Sequence, residues 1–158
     1  MRALMGVVAA GVLLAGTAVA AEPAETITAR AQVLDGATLK LDGYPIRLWG
    51  IAVPASNRPD GMRSTIGLFR LIDGRIVSCH LGEGRDQAAY IGKCEAGGMD
   101  VSALMVDGGY ARDCPTVSNA RYRIQEQRAR DKGSELTTSF PLPGYCEHRG
   151  GARKNPAG

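Results

Sequence analysis

Aromatic residues are scarce in this chain: five tyrosines, two phenylalanines and a single tryptophan among 158 residues. A core drawn from such a sequence is mostly aliphatic and modest in size, and there is no room for a second domain. Histidine occurs only as His80 and His148, each without a neighbouring partner in sequence, which reads as surface placement rather than catalysis. No C-x-x-C is present and only His80 stands close to a cysteine, which argues against a zinc site. One apolar run, residues 3–16, exceeds strand length, and it is too short to span a bilayer comfortably.

That run follows Met1 and Arg2 and precedes the small-x-small pattern Ala18-Val19-Ala20. Residues 1–21 are therefore expected to be a secretory signal peptide and the chain an exported one, periplasmic or secreted, with no stable membrane anchor. The net charge of +3 shrinks on inspection, because Arg2 lies in the signal segment and Arg149, Arg153 and Lys154 outweigh Glu147 in the tail. Residues 147–158, with three glycines, one proline and few apolar residues, are expected to be a disordered basic tail. The body between is near neutral, which is weak support for tight nonspecific binding to nucleic acid.

What is present is more specific. Cys79, Cys94, Cys114 and Cys146 form an even set in an exported chain, so disulfides are expected. Three pairings are possible. The sequential one, Cys79 to Cys94 and Cys114 to Cys146, is favoured because the first two end and begin runs that look like neighbouring strands, while the others bracket the C-terminal segment. Each closure contributes roughly 3–4 kcal/mol on the loop-entropy account.

Residues 33–56, VLDGATLKLDGYPIRLWGIAVPAS, read as a compact β-meander. Leu39 and Leu41 alternate with Thr38 and Lys40, Ile46 and Leu48 flank Arg47, and Asp35-Gly36 and Asp42-Gly43 supply turns. Ile27, Ala29, Ala31 and Val33 predict a half-buried first strand. Asp60 predicts the cap of a helix over residues 61–72, with Ile66, Phe69 and Ile72 on its inner face. Residues 75–80 and 89–94 predict paired strands across a glycine-rich loop. Asp100 predicts a cap for a helix carrying Val101, Leu104 and Met105, ended by Gly108-Gly109. A last helix over residues 120–132 has only Tyr122, Ile124 and Ala129 as apolar anchors, its many charges forming a solvated face laced with pairs. Residues 140–146 predict an extended strap tied by Cys146.

The order Asp35-Gly36-x-Thr38, then Ile46-Arg47-Leu48-x-Gly50-Ile51-x-x-Pro54, resembles the thermonuclease (staphylococcal-nuclease-like) family over residues 27–146. The resemblance implies an α+β, mainly β fold: a five-stranded OB-type barrel with about three helices. It also implies calcium-dependent hydrolysis of DNA and RNA phosphodiesters, and here the chain departs from the family. The metal carboxylates fall on Ala37 and Ala52, the glutamate base falls on Ala55, and Val53 stands where members often offer a backbone oxygen. The Asp-x-Tyr-Gly-Arg signature reads Arg85-Asp86-Gln87-Ala88-Ala89-Tyr90, so the second phosphate-binding arginine is missing as well. Calcium wants six to eight oxygen ligands, which methyl groups do not supply.

The family position Arg47 is thus retained as the catalytic candidate, insufficient alone, and Arg47, Thr38 and Arg85 are the candidate binding residues, with no metal ligands and no cofactor. The expected function is a non-catalytic exported binding or accessory module, monomeric, with nucleic acid or an envelope protein as its partner. The alternative is an active nuclease, using calcium in a site rearranged around Arg47 with carboxylates such as Asp42, Asp60 or Asp86.

Overall fold

The computed structural model describes residues 25–134 and 136–147. The signal-peptide reading, the tail beyond Glu147 and His148 lie outside them. The fold is α+β and mainly β. Its main sheet runs in the order β1 (Thr26–Arg30), β6 (Ile76–Asp86), β7 (Ala89–Ala96), β4 (Tyr44–Leu48), β3 (Thr38–Leu41), β2 (Gln32–Val33), with β8 (Met99–Asp100) on β7. All pairings are antiparallel except β4 with β7. A second small sheet joins β5 (Ile51–Ala52) to β9 (Arg112–Asp113).

The meander forms as its alternation requires. Leu39, Leu41, Ile46 and Leu48 are buried and Arg47 points the other way. Asp42 and Gly43 both take positive φ between β3 and β4, the twist a two-residue hairpin turn demands. The expected first strand divides at Ala31. There the backbone leaves the ladder to bond the turn before β6, the Ala31 N–H donating to Arg75 O at 2.8 Å and the Gly74 N–H to Ala31 O at 2.9 Å. The chain thereby changes partner from β6 to β3, and β1 and β2 stand at opposite ends of the strand order although one residue separates them.

Helix α1 (Pro59–Ile72) differs from its sequence reading in two ways. Its cap is Arg58, with Pro59 at the first position, and Asp60 makes no cap. Its inner face is Gly61, Ser64, Gly67, Leu68 and Ile72, while Ile66 and Phe69 are exposed. Close approach is the reason: a Cβ on Gly67 would sit 2.3 Å from the Tyr110 ring, and one on Gly61 would sit 1.9 Å from Ala55 O. The helix docks through its smallest residues, which apolar spacing does not reveal.

The β6–β7 hairpin is longer than expected. β6 continues through Gly82 and Gly84 to Asp86 with a register irregularity between Leu81 and Arg85, leaving only Gln87 and Ala88 as the turn. Cys79 and Cys94 are cross-strand partners and are joined, and Cys114 is joined to Cys146, the two pairings favoured from sequence. Asp100 caps α2 (Val101–Asp107) as expected, accepting from the Ala103 N–H at 3.1 Å. Two single turns were not foreseen, α3 (Pro115–Ser118) and α5 (Leu136–Ser139). Helix α4 (Arg123–Asp131) starts late because Asn119 and Ala120 both have φ of 56°. Tyr122 and Ala129 are buried as anchors, but Ile124 is exposed, and the third buried side chain is a charged one, Glu126.

Glu126 accepts from Arg112 Nε at 2.9 Å, Arg130 at 2.7 Å and the Asp113 N–H at 3.0 Å. Arg112 also donates to Phe140 O at 2.8 Å, so one carboxylate joins β9, α4 and the C-terminal strap. The strap packs Phe140 and Leu142 against Ala52, Cys114 and Cys146. Other charges of α4 form surface pairs, Arg128 and Lys132 both reaching Asp107.

Burial pushes the Glu126 carboxyl up, but its bonds to Arg130 and Arg112 and the Arg112 charge outweigh this and hold it below its ordinary value of 4.5. Asp113 moves oppositely, raised by burial and by the Glu126 charge against the opposing Ser118 hydrogen bond. A depressed folded pKa stabilises above the unfolded value and ceases to do so as pH falls through the folded one. Glu126→Ala is therefore expected to cost about 3 kcal/mol at neutral pH, because two arginines lose their buried partner. Thermal melts of both proteins should converge as pH drops below 4.5, the ordinary glutamate value.

Candidate functional site

Arg47 faces the solvent side of β4 between the buried Ile46 and Leu48. Thr38 on β3 is its register partner on one side and Ile91 on β7 its partner on the other. The long β6–β7 hairpin carries Asp86 over the same surface, and Arg47 Nε lies 2.9 Å from Asp86 Oδ2. Their side chains are 28% and 44% exposed, so the pair contributes at most about 1 kcal/mol to stability. Its larger effect is local: the guanidinium already has an anion.

Three cavities meet at Arg47, and Asp86 lines two of them. The largest, about 510 Å³, is lined by Arg47, Trp49, Asp86, Gln87 and Tyr145 among others. One of about 280 Å³ lies between Asp35, Arg47, Gln87 and the Val53–Ser56 stretch. The smallest, about 170 Å³, is walled by Asp35, Thr38, Arg47, Asp86 and Gln87. Arg47 and Gln87 line all three. Gln87 was not a candidate from sequence, and its signal was present only in hindsight, as a residue beside Asp86 in the hairpin turn.

Of the binding candidates, Arg47 and Thr38 are brought together and Arg85 is not. Arg85 donates to the Tyr90 hydroxyl and lies 3.9 Å over the Tyr90 ring, and it lines none of the three cavities. Strand alternation sends it to the opposite face from Asp86. Asp42 in the β3–β4 turn and Asp60 in α1 also line none of them. His80 is a surface residue, 3.2 Å from the Glu25 carboxylate and from the Thr26 hydroxyl.

The positions where the family resemblance puts calcium ligands do not fit that ion. Ala37 is fully buried in the main core, and Ala52 is buried in the separate cluster around the Cys114–Cys146 bond. Ala55 is exposed at the 280 Å³ cavity and has no side-chain oxygen. Asp35 Oδ1 accepts from the Ala37 N–H at 2.8 Å, and Asp86 is engaged by Arg47. Among the described residues no three His, Cys, Asp or Glu side chains gather as a metal would need.

A fourth cavity of about 500 Å³ adjoins the largest, sharing Trp49, Ile91 and Val117 with it and adding His80, Gly82, Glu83 and Lys93. Lys93 Nζ lies 4.2 Å from the Trp49 ring centre, a surface cation–π contact worth about 0.5–1 kcal/mol. The buried Tyr122 ring packs against the indole in an edge-to-face arrangement, centroids 6.3 Å apart. Across the molecule, a cavity of about 450 Å³ between α1 and the ends of α2 and α4 shares no residue with these.

No family model matches the chain. The Succinoglycan biosynthesis protein ExoI of Rhizobium meliloti (strain 1021) is 26% identical over 166 residues, covering 97% of this chain and 85% of that protein.

Removing the counter-anion should expose Arg47. Asp86→Ala is expected to change stability by less than about 1 kcal/mol, while retention on single-stranded DNA gains one phosphate contact and the salt slope steepens by about 0.7. Salt-gradient elution of the two proteins measures it; identical profiles would mean that Asp86 does not neutralise this site.

Proposed function

We propose that the chain is an exported staphylococcal-nuclease-like module that has lost calcium-dependent phosphodiester hydrolysis and acts by binding. The carrying observation is where the alanines lie: Ala37 and Ala52 occupy apolar clusters, and the one retained family cation, Arg47, is paired with Asp86. Losing a positioned base costs on the order of 10²- to 10⁴-fold in rate, and the missing metal removes the electrostatic stabilisation of the phosphate as well.

The OB-type barrel belongs to this reading. It takes β1 and β2 as one strand bent at Ala31, so that this strand, β3, β4, β7 and β6 would close into a five-stranded ring; the pairings of β1 with β6 and of β2 with β3 support it. Such closure removes both sheet edges, and OB barrels bind oligonucleotides and oligosaccharides on this kind of surface. Export is supported by the two disulfides, which persist in oxidising compartments, and no helix among the described residues is long and apolar enough to cross a membrane. The relative from Rhizobium is named for succinoglycan biosynthesis, and an accessory role in such a biosynthesis is proposed for this chain from that likeness. Nucleic acid and an envelope protein remain the other partners in view, with the module acting as a monomer.

A second reading, a nuclease with a rearranged calcium site, draws on Asp35 and Asp86 flanking Arg47 in one cavity. Incubating purified mature protein with single-stranded DNA and calcium, magnesium or manganese separates the two. No nucleotide release is expected with any of them. Release that disappears in Arg47→Ala would overturn the binding-module reading.

A further inference from the structure

The cavities on the two sides of Trp49 form one elongated groove, about 510 Å³ at the Asp86 end and about 500 Å³ at the Lys93 end. Trp49, Ile91 and Val117 make the ridge common to both. A two-lobed groove with an aromatic waist fits a stretch of polymer better than one compact ligand. Its chemistry narrows the polymer. The indole is half-buried and braced by Tyr122, so it is held at low entropic cost, and Val117 and Tyr145 add exposed apolar surface beside it. Beyond this waist lie side chains that exchange hydrogen bonds with vicinal hydroxyls: Asp86 and Gln87 at one end, Glu83 and His80 at the other.

Charge separates the polymers that could stack on tryptophan. Nucleobases stack on aromatic rings, but strands carrying them are drawn in by uncompensated cations along the groove. Here Arg47 is matched by Asp86, and the Lys93 lobe also holds Glu83. The groove offers no net positive track. The aliphatic C–H faces of pyranose rings are attracted to an aromatic face without needing one.

We propose that this groove binds an uncharged oligosaccharide segment, one pyranose stacked on Trp49 in place of the Lys93 ammonium, with flanking residues hydrogen-bonded by Gln87 and Asp86 on one side and Glu83 on the other. The proposal rests on the binding-module reading and names its ligand class. Gly82 supplies a clean block. Gly82 lines the Lys93 lobe and a Cβ there meets only Ile91 O at 3.7 Å, so Gly82→Leu adds bulk at the lobe with no clash at its Cβ.

Trp49 is the only tryptophan of the chain, so emission excited at the red edge of absorption, where tyrosine does not absorb, reports from the groove alone. Full mature protein is titrated with cellohexaose, laminarihexaose and maltohexaose, and with a single-stranded DNA hexamer, at low and high salt. At least one oligosaccharide should shift the emission saturably and independently of salt, with affinity about tenfold lower in Gly82→Leu and in Gln87→Ala. Circular dichroism of both variants should match the parent. Three silent oligosaccharides overturn the proposal, as does binding indifferent to both substitutions. Salt-sensitive binding of the hexamer alone also overturns it, yet leaves the binding-module reading standing; only cleavage of the hexamer removes that reading.

Discussion

A guanidinium at the centre of a cleft is an invitation to anions, and in this protein the invitation is answered from within. Asp86 reaches Arg47 because β6 extends through two glycines to the tip of its hairpin, and the parallel pairing of β7 with β4 sets that tip over the arginine. The cleft's character follows from this contact. A free arginine would bias it toward phosphates; a paired one leaves a surface that discriminates by shape, ring stacking and hydrogen bonding. The contact is weak as a contribution to stability, and under the proposed binding role its consequence is the neutralised charge of the cleft.

The meander, the alternation around Arg47, the Asp100 cap and both disulfide pairings were legible in the sequence because each depends on a local rule: period two in a strand, turn chemistry, a capping carboxylate, cysteines at the ends of adjacent strands. Features set by contact across the fold were not. The inner face of α1 is made of Gly61, Ser64 and Gly67, chosen by closeness to Ala55 and Tyr110, and no hydrophobic spacing announces it. Gly82 and Gly84 looked like a loop and turned out to lie within a strand, since pairing with β7 overrode their poor propensity. Glu126 looked like part of a solvated face, and the return of Arg112 and of the Asp113 N–H beside it, together with Arg130, makes its burial tolerable. At the site, Arg47 and Thr38 were readable from motif spacing, whereas the exclusion of Arg85 and the entry of Gln87 depend on which way one hairpin faces.

The alanines at the family's acidic positions have structural work of their own. Ala37 is part of the main core, and Ala52 sits under Phe140 and the Cys114–Cys146 bond. A carboxylate at either place would have to be desolvated or would disturb the packing around it. These alanines are thus integrated with the apolar framework, and an acidic side chain at either position would require reshaping its cluster.

The bond between Cys114 and Cys146 closes across 32 positions of sequence and brings Tyr145 to the wall of the groove, opposite Asp86 and Gln87. One side of the cleft is accordingly supplied by a covalent stitch made after the polypeptide is synthesised. Where thiols stay reduced, that wall is left to the packing of Phe140 and Leu142 and to the hydrogen bonds that Arg112 donates to Phe140 O and Thr116 to Tyr145 O. Disulfides persist in oxidising compartments, so the proposed binding surface is tied to the redox state of its surroundings.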